Sequence, residues 1–233
     1  MAEVVSCLMP TYNRRPWVEL SIGCWLQQDW PDRELIVLDD GDDQVDDLCR
    51  VDPRIRHVDL TGRRWTIGAK WNLGVSLAWG KVLACWADDD WHAPWRLRYQ
   101  VTSLQVSPAG ICGTDRQYYW DLDTGVMWHY SYLPNQLSSS YLCGGTMMFR
   151  YSYWQQGQFQ DINVGEDNQF IAGRSAEILN LVDERFYMAT IHSGNTSKKP
   201  ETTRRGSEQW TTPAEMTPAA LGVAGWWWRT VLG

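Results

Sequence analysis

Three stretches in the first ninety residues, "VVSCLMP", "ELIVLDD" and "KVLACW", are apolar through most of their length, and each is too short for a buried helix. They read as fully buried strands of a parallel sheet, which lack polar alternation because helices cover both faces. "IRHV" reads as a further strand. Between them the apolar positions recur at helical spacing. "RRPWVELSIGCWLQQ" carries Trp17, Leu20, Cys24 and Leu26, with Pro16 in the first turn, and "QVDDLCR" is a short helix. "TIGAKWNLGVSLAWG" puts Ile67, Trp71, Val75 and Ala78 on one face and Gly80 at its C-cap. The alternation predicts an α/β fold with an open, doubly wound, mainly parallel sheet flanked by helices. Ligands of such sheets bind beyond the carboxyl ends of the strands, which here carry "PTYNR", "DDGDD" and "ADDDW".

From Gln117 the pattern changes, and the second half reads as mixed. "QYYWDLDTGVMWHYSYL" alternates around a D-T-G turn and predicts a hairpin. "YLCGGTMMF" predicts a strand running into a helix at "YSYWQQG"; "GEDNQFIAGRSA" reads as a helix, "EILNLVD" and "RFYMATIH" as strands. Residues 193–218 are polar and contain Pro and Thr, which predicts a lid or a disordered loop. In "GVAGWWWRTVLG" three successive Trp cannot all face one side of a regular element. Packing back on the body of the protein is the first choice; a dimer contact or a membrane surface are the others.

A chain of 233 residues with 44% hydrophobic content can bury a full core, and the expectation is one domain with a late appendage. The net charge of -7 argues against a surface built mainly to neutralise nucleic-acid phosphates. Six cysteines without C-x-x-C spacing read as small hydrophobes in a reducing cytoplasm. The N-terminal order, apolar first and arginines after, is wrong for a signal peptide, and no apolar run reaches the ~20 residues of a membrane span. Most of the sixteen Trp are expected in the core.

The chemistry concentrates in a few places. Asp88, Asp89 and Asp90 are consecutive at the end of a buried strand, where they repel and are costly to desolvate. A turn or the cap of a helix starting near "HAPWRL" would use one such residue; three suggest a counter-charge that the chain does not supply, and Mg2+ or Mn2+ fits oxygen ligands and a pyrophosphate. In "GEDNQF", Glu166 and Asp167 suit either a helix N-terminus or an acid site. His192 ends a strand, where a backbone-satisfied histidine is the ordinary case. Lys198, Lys199, Arg204 and Arg205 form either a solvated run or the cations of a lid closing over a diphosphate.

"VSCLMPTYNR", "LIVLDDGDD", "IGAKWNLGVSLAWG", "ADDDWHAPWRL", "CGGTMMFRYSYW" and "GEDNQF" occur in the order and with roughly the spacing of the GT-A glycosyltransferases of family 2, which the chain resembles over residues 4 to 195. The resemblance implies a GT-A domain over 1–197, with a nucleotide-binding half 1–97 and an acceptor half 98–197, followed by a lid and Trp-rich tail over 198–233. It implies metal-dependent, inverting transfer of a sugar from a nucleotide-sugar, most often a UDP-sugar, to an acceptor hydroxyl on a glycan, lipid-linked sugar, protein or modified nucleic acid. Pro10, Thr11, Tyr12 and Arg14 fall in the segment lining the nucleotide site, and Asp39 or Asp40 matches the acid that binds uracil. Lys70 and Asn72 stand beside the nucleotide, with Lys198 and Arg204 as candidate diphosphate cations. Asp89 is the favoured metal ligand, with Asp90 and His192 as further candidates and Asp88 or Asp90 on the ribose or a water. Asp167 matches the catalytic base, with Glu166 beside it. A nucleotidyltransferase would carry a glycine-rich loop after the first strand, which "MPTYNRR" lacks, and a non-catalytic binding relative would have lost its acids.

Overall fold

The computed structural model describes residues 3–132 and 141–223, together with Gly225 and Trp227. The first half alternates as the pattern requires: β1 (Val5–Thr11), α1 (Arg15–Leu26), β2 (Arg33–Asp39), α2 (Asp46–Cys49), β3 (Ile55–Asp59), α3 (Ile67–Leu77) and β4 (Val82–Cys85). Then come β5 (Trp91–His92), α4 (Arg96–Gln105), β6 (Ile111–Gly113), β7 (Arg116–Asp121), β8 (Val126–Ser131), β9 (Met148–Arg150), α5 (Tyr151–Gln156), α6 (Glu166–Ile171), β10 (Ile178–Asn180), β11 (Tyr187–Ile191), α7 (Glu201–Arg205) and β12 (Trp210–Thr211).

Seven strands form one sheet in the order β10-β6-β9-β4-β1-β2-β3, parallel except where β9 pairs with β4 and β6. Because side chains alternate across a strand, Val5, Cys7 and Met9 enter one core, while Leu8, with Ile36 and Leu38 from β2, enters the other. Each fully buried aliphatic side chain contributes about 1.5–3 kcal/mol. The second core is roofed by Trp71 and Val75 of α3. Thr66 caps that helix by accepting from the Ala69 amide at 3.0 Å.

A second sheet, β12-β8-β7-β11-β5, packs beside the carboxyl end of β4 and mixes parallel and antiparallel pairs. Its hairpin β7–β8 is the expected one, turning at Gly125 with φ 66°.

Several boundaries differ from the sequence reading. α3 stops at Leu77, because Gly80 lies against the chain of β1, where its amide donates to Ser6. "YLCGGTMMF" is not one strand: Gly144–Thr146 form a 3-10 turn before β9. Residues 193–218 are not a free loop, since they hold α7 and β12, and Trp210 pairs with Tyr130 of β8. Trp227 is fully buried in the main core. Residues 224, 226 and 228–233 of the Trp-rich tail, with the dimer contact that is one alternative for it, lie outside the described residues, as does Leu133 at the end of the predicted hairpin. Among the described residues no helix is long and apolar enough to cross a membrane.

Candidate active site

A cleft of about 810 Å³ opens where the carboxyl ends of β1 and β4 meet the second sheet, and it is lined by Asp88, Asp89, Asp90, Glu166 and Asp167. The three aspartates follow β4 as a turn, so successive carboxylates point to different partners. One Arg14 nitrogen donates to Asp88 and Asp89, each at 2.8 Å, and another donates to the Gly194 carbonyl at 2.6 Å. The chain therefore does supply a counter-charge to this cluster, contrary to the sequence reading. Asp89 also meets His192 Nε2 at 3.1 Å and accepts from Asn195 at 3.2 Å. The His192 ring stacks on Trp17 at 4.4 Å. Burial pushes Asp89 up, yet the His192 bond and Arg14 outweigh it and hold the group below its usual range.

Asp90 does not share this arrangement. The Tyr187 hydroxyl donates to one of its oxygens and the Thr190 amide to the other at 2.8 Å. Burial, reinforced by the charge of Asp89, pushes it up to about 8. Asp90, expected from sequence as a metal ligand, lines the cleft with each of its oxygens already accepting one hydrogen bond. Among the described residues no three His, Cys, Asp or Glu side chains form a metal-holding group. Asp89 lines the cleft and suits a cation of the Mg2+ or Mn2+ kind, which takes one or two carboxylates and completes its shell with substrate phosphates and water; His192 does not line the cleft, and its ring is engaged on both nitrogens, Nε2 with Asp89 and Nδ1 accepting from the Gly194 amide at 3.1 Å.

The corner of the cleft beside the end of β1 is built by a buried tether. Asp40 accepts from Lys70, from Arg64 at 2.8 Å and from the Trp65 amide at 2.7 Å. Lys70 also donates to the Thr11 carbonyl at 2.6 Å. Arg64 lies over the Tyr12 ring at 3.3 Å. Pro10, Thr11, Tyr12, Arg14, Arg64, Trp65 and Lys70 line the cleft, but neither Asp39 nor Asp40 does. Asp39 instead accepts from the Gly41 and Val45 amides and shapes the turn after β2. The acid expected on the base thus works one layer behind the cleft.

Asn72 is also displaced from its expected role. It donates to the Phe159 carbonyl at 2.8 Å and accepts from Trp154 and the Phe159 amide. Beside it, Gly68 lets α3 approach so closely that an added Cβ would stand 1.8 Å from the Gln160 carbonyl. These contacts pin residues 159–163 and hence the start of α6, which Gly165 enters with φ 84°.

Asp167 sits in the first turn of α6 beside Gly144, where a Cβ would come within 2.5 Å of its Oδ2. It accepts from the Asn168 amide at 2.7 Å, and burial raises it above the usual carboxylate range. Burial, with the charge of Asp167 next, pushes Glu166 up to about 7; the Trp71 side chain bonds it.

This raised value makes a stability prediction. An unfolded Glu titrates near about 4.3, so between that pH and about 7 the folded chain holds a proton that the unfolded chain has released. The contribution is complete below the unfolded value and lost as pH rises through the folded one. Glu166→Gln removes it and should gain on the wild type in urea unfolding between pH 5 and pH 8. Equal differences at both pH values would refute the assignment.

The four basic residues after His192 separate in space. Lys199 lines the cleft near Asp90, Asp167 and Asp89, and burial pulls it down. Lys198 donates to the Ser193 carbonyl and does not line the cleft. Arg204 is buried in an ion pair with Asp121 and lies over Trp128 at 4.9 Å, outside the cleft; Arg205 pairs with Glu201. The carboxylate of Asp121 at the hairpin turn needs a counter-charge, and α7 delivers it. Lys199 is thus the one of the four candidate lid cations that reaches the cleft, while Arg64 and Trp65 are cleft residues that the sequence reading did not single out; "GRRWT" just before a helix was the available signal.

The architecture and the acid-lined cleft are those of a GT-A glycosyltransferase. The signature described as glycosyl transferase family 2 matches residues 6–176, and the chain belongs to that family. Among solved structures, Staphylococcus aureus TarS 1-349 in complex with UDP-GlcNAc has a TM-score of 0.66 at 17% identity, covering 86% of this chain and 63% of TarS 1-349. The mannosyltransferase PcManGT from Pyrobaculum calidifontis, in complex with GDP-Man and Mn2+, has a TM-score of 0.63 at 18% identity, covering 82% of this chain and 57% of its own. The chain thus spans less than two thirds of these relatives. No curated protein matches the sequence.

Proposed function

We propose that the chain transfers a sugar from a UDP-sugar to an acceptor hydroxyl, with inversion and with a divalent cation at the diphosphate. The observation that carries this reading is the convergence in one cleft of Asp89, which His192 bonds from outside the lining, on the donor side and Asp167 on the other. Asp167 accepts the acceptor proton as the hydroxyl oxygen attacks the anomeric carbon, since an unassisted hydroxyl is a weak nucleophile near neutral pH. The glycosidic C–O bond breaks and the nucleoside diphosphate departs with its electron pair. Tyr12, Arg64 and Trp65 hold the nucleoside end, and Lys199 offers a charge to the diphosphate. Asp89, oriented by His192, would hold Mg2+ or Mn2+, which supplies charge neutralisation for the leaving group. The nucleotide complexes of the structural relatives support a nucleotide-sugar donor. Six free, buried cysteines support a reducing cytoplasm as the location.

Calorimetry with UDP tests the donor half. Affinity should be at least about tenfold higher with Mn2+ than with EDTA, and Asp89→Ala should abolish that difference. Asp42→Ala should retain it, because Asp42 is exposed in the turn after β2. Equal UDP affinity with Mn2+ and with EDTA would end the metal reading.

A further inference from the structure

The inner face of the second sheet is the far wall of the cleft, and strand register determines what it presents. Gln117 and Tyr119 are two apart on β7 and share a face; Tyr130 lies opposite Gln117 on β8, and Trp210 lies opposite Tyr130 on β12. All four line the cleft, joined by Tyr141. Tyr119 and Trp210 are 4.8 Å apart at 49°, Tyr130 and Trp210 5.0 Å at 53°, and Tyr130 and Tyr141 6.0 Å at 67°. The rings form a bowl of tilted facets. Beside them the Gln117 Oε1 is buried without a hydrogen-bond partner, in a residue 5% exposed. A buried carbonyl oxygen left unsatisfied is costly, so this one is set for a donor that arrives with a ligand. The bowl runs through Tyr141 and Cys143 to Gly144, which touches Asp167.

From this wall we infer that the acceptor is a neutral hexopyranoside, stacked on Tyr119, Tyr130 and Trp210 with a hydroxyl donating to Gln117; the inference rests on the transferase reading of the same cleft. A chair-shaped pyranose can lay a C–H face on one of these rings while its edge meets a neighbouring facet, and its hydroxyls then reach the Gln117 oxygen. Charge points the same way. The described cations lining the cleft are Arg14, Arg64, Lys70 and Lys199; the first three are engaged by Asp88, Asp89 and Asp40. Lys199 faces the acids, so a polyanionic acceptor would approach Asp167 and Glu166 without the row of cations that phosphate chains require.

The test uses the full chain with UDP-glucose, UDP-GlcNAc and GDP-mannose, and reads nucleotide release with and without acceptor. Methyl glucosides, galactosides and mannosides and cellobiose are the neutral probes; two plain polyanions, single-stranded DNA and heparin, are the anionic ones. At least one neutral probe should accelerate release by about tenfold or more over donor hydrolysis. Tyr130→Leu and Gln117→Leu should each raise the KM for that probe by about tenfold, while UDP affinity, measured by calorimetry, shows that the variants are folded. No acceleration by any neutral probe overturns the inference, and glycosylation of an anionic polymer alone would identify the other acceptor class. If UDP binds and is released but neutral probes are ignored, the inference fails and the transferase reading stands. If no nucleotide binds under any condition, both fail.

Discussion

Asp167→Asn is expected to lower sugar transfer by about 10²–10⁴-fold, the usual range for removal of a general base, with UDP affinity nearly unchanged. Asn preserves the size of Asp and an oxygen able to accept from the Asn168 amide, but it takes no proton. The expected separation of functions follows from geometry: Asp167 stands on α6 beside Gly144, whereas Arg14, Asp89 and His192, which form the proposed donor side, lie at the ends of β1, β4 and β11. Burial raises Asp167, so wild-type transfer should fall on the acid side at a pH above that of an ordinary carboxylate. The variant's residual rate should lack that acid limb. Glu166→Gln should cost less, because Glu166 is bonded by Trp71 and works beside the base. A wild-type rate in Asp167→Asn, or a dead Glu166→Gln, would move the base to Glu166.

The parts of this molecule legible in its sequence are those governed by local period. β1, β2 and β4 are buried on both faces and read as continuous apolar runs; the β7–β8 hairpin announced itself by alternation around D-T-G. The two-residue strands β5 and β12 carry no period long enough to detect, and their pairing with β11 and β8 is decided by distant chain. The same limit explains residues 193–218. Their polar composition fits a lid, but Arg204 satisfies a carboxylate 83 positions away, and that pairing folds the stretch onto the hairpin.

The candidate site divides along the same line. Residues at strand ends, Thr11, Tyr12, Asp88 and Asp89, lie in the cleft because strand direction alone takes them there. Placements that differ from the expected ones arise where a long-range partner decides. Asp40 and Asn72 have the right chemistry for a ligand, but Lys70, Arg64 and Trp154 consume it. Arg14 lies 74 residues from Asp88, so its charge was invisible beside the triad. Lys198 and Lys199 are neighbours in sequence, and the turn after Ser193 sends one outward and the other into the cleft.

Arg96→Met is expected to destabilise the fold by about 2–4 kcal/mol, seen as a lower urea midpoint at unchanged slope. Arg96 is fully buried. It donates to Gln100 at 2.9 Å, to the Cys85 and Gly145 carbonyls at 2.8 and 2.9 Å, and to His92 Nδ1 at 2.5 Å. Burial and the nearby guanidinium keep His92 neutral, so its proton resides on Nε2 and faces the Ala87 carbonyl at 3.2 Å. Methionine would fill much of the space but leave four acceptors without their donor, each costing about 1–3 kcal/mol, partly offset because a desolvated cation is also removed. The damage should reach the cleft as well. Cys85 ends the strand that delivers Asp88 and Asp89, and Gly145 follows the glycine that touches Asp167, so one guanidinium holds the donor and base sides in register. A second measurement separates this from simple loss of fold: at a temperature where Arg96→Met is still fully folded, transfer should fall by more than UDP affinity does. An unchanged urea midpoint would show that water or a shifted side chain replaces the guanidinium, and Arg96 would then have no claim to set the spacing of the two halves.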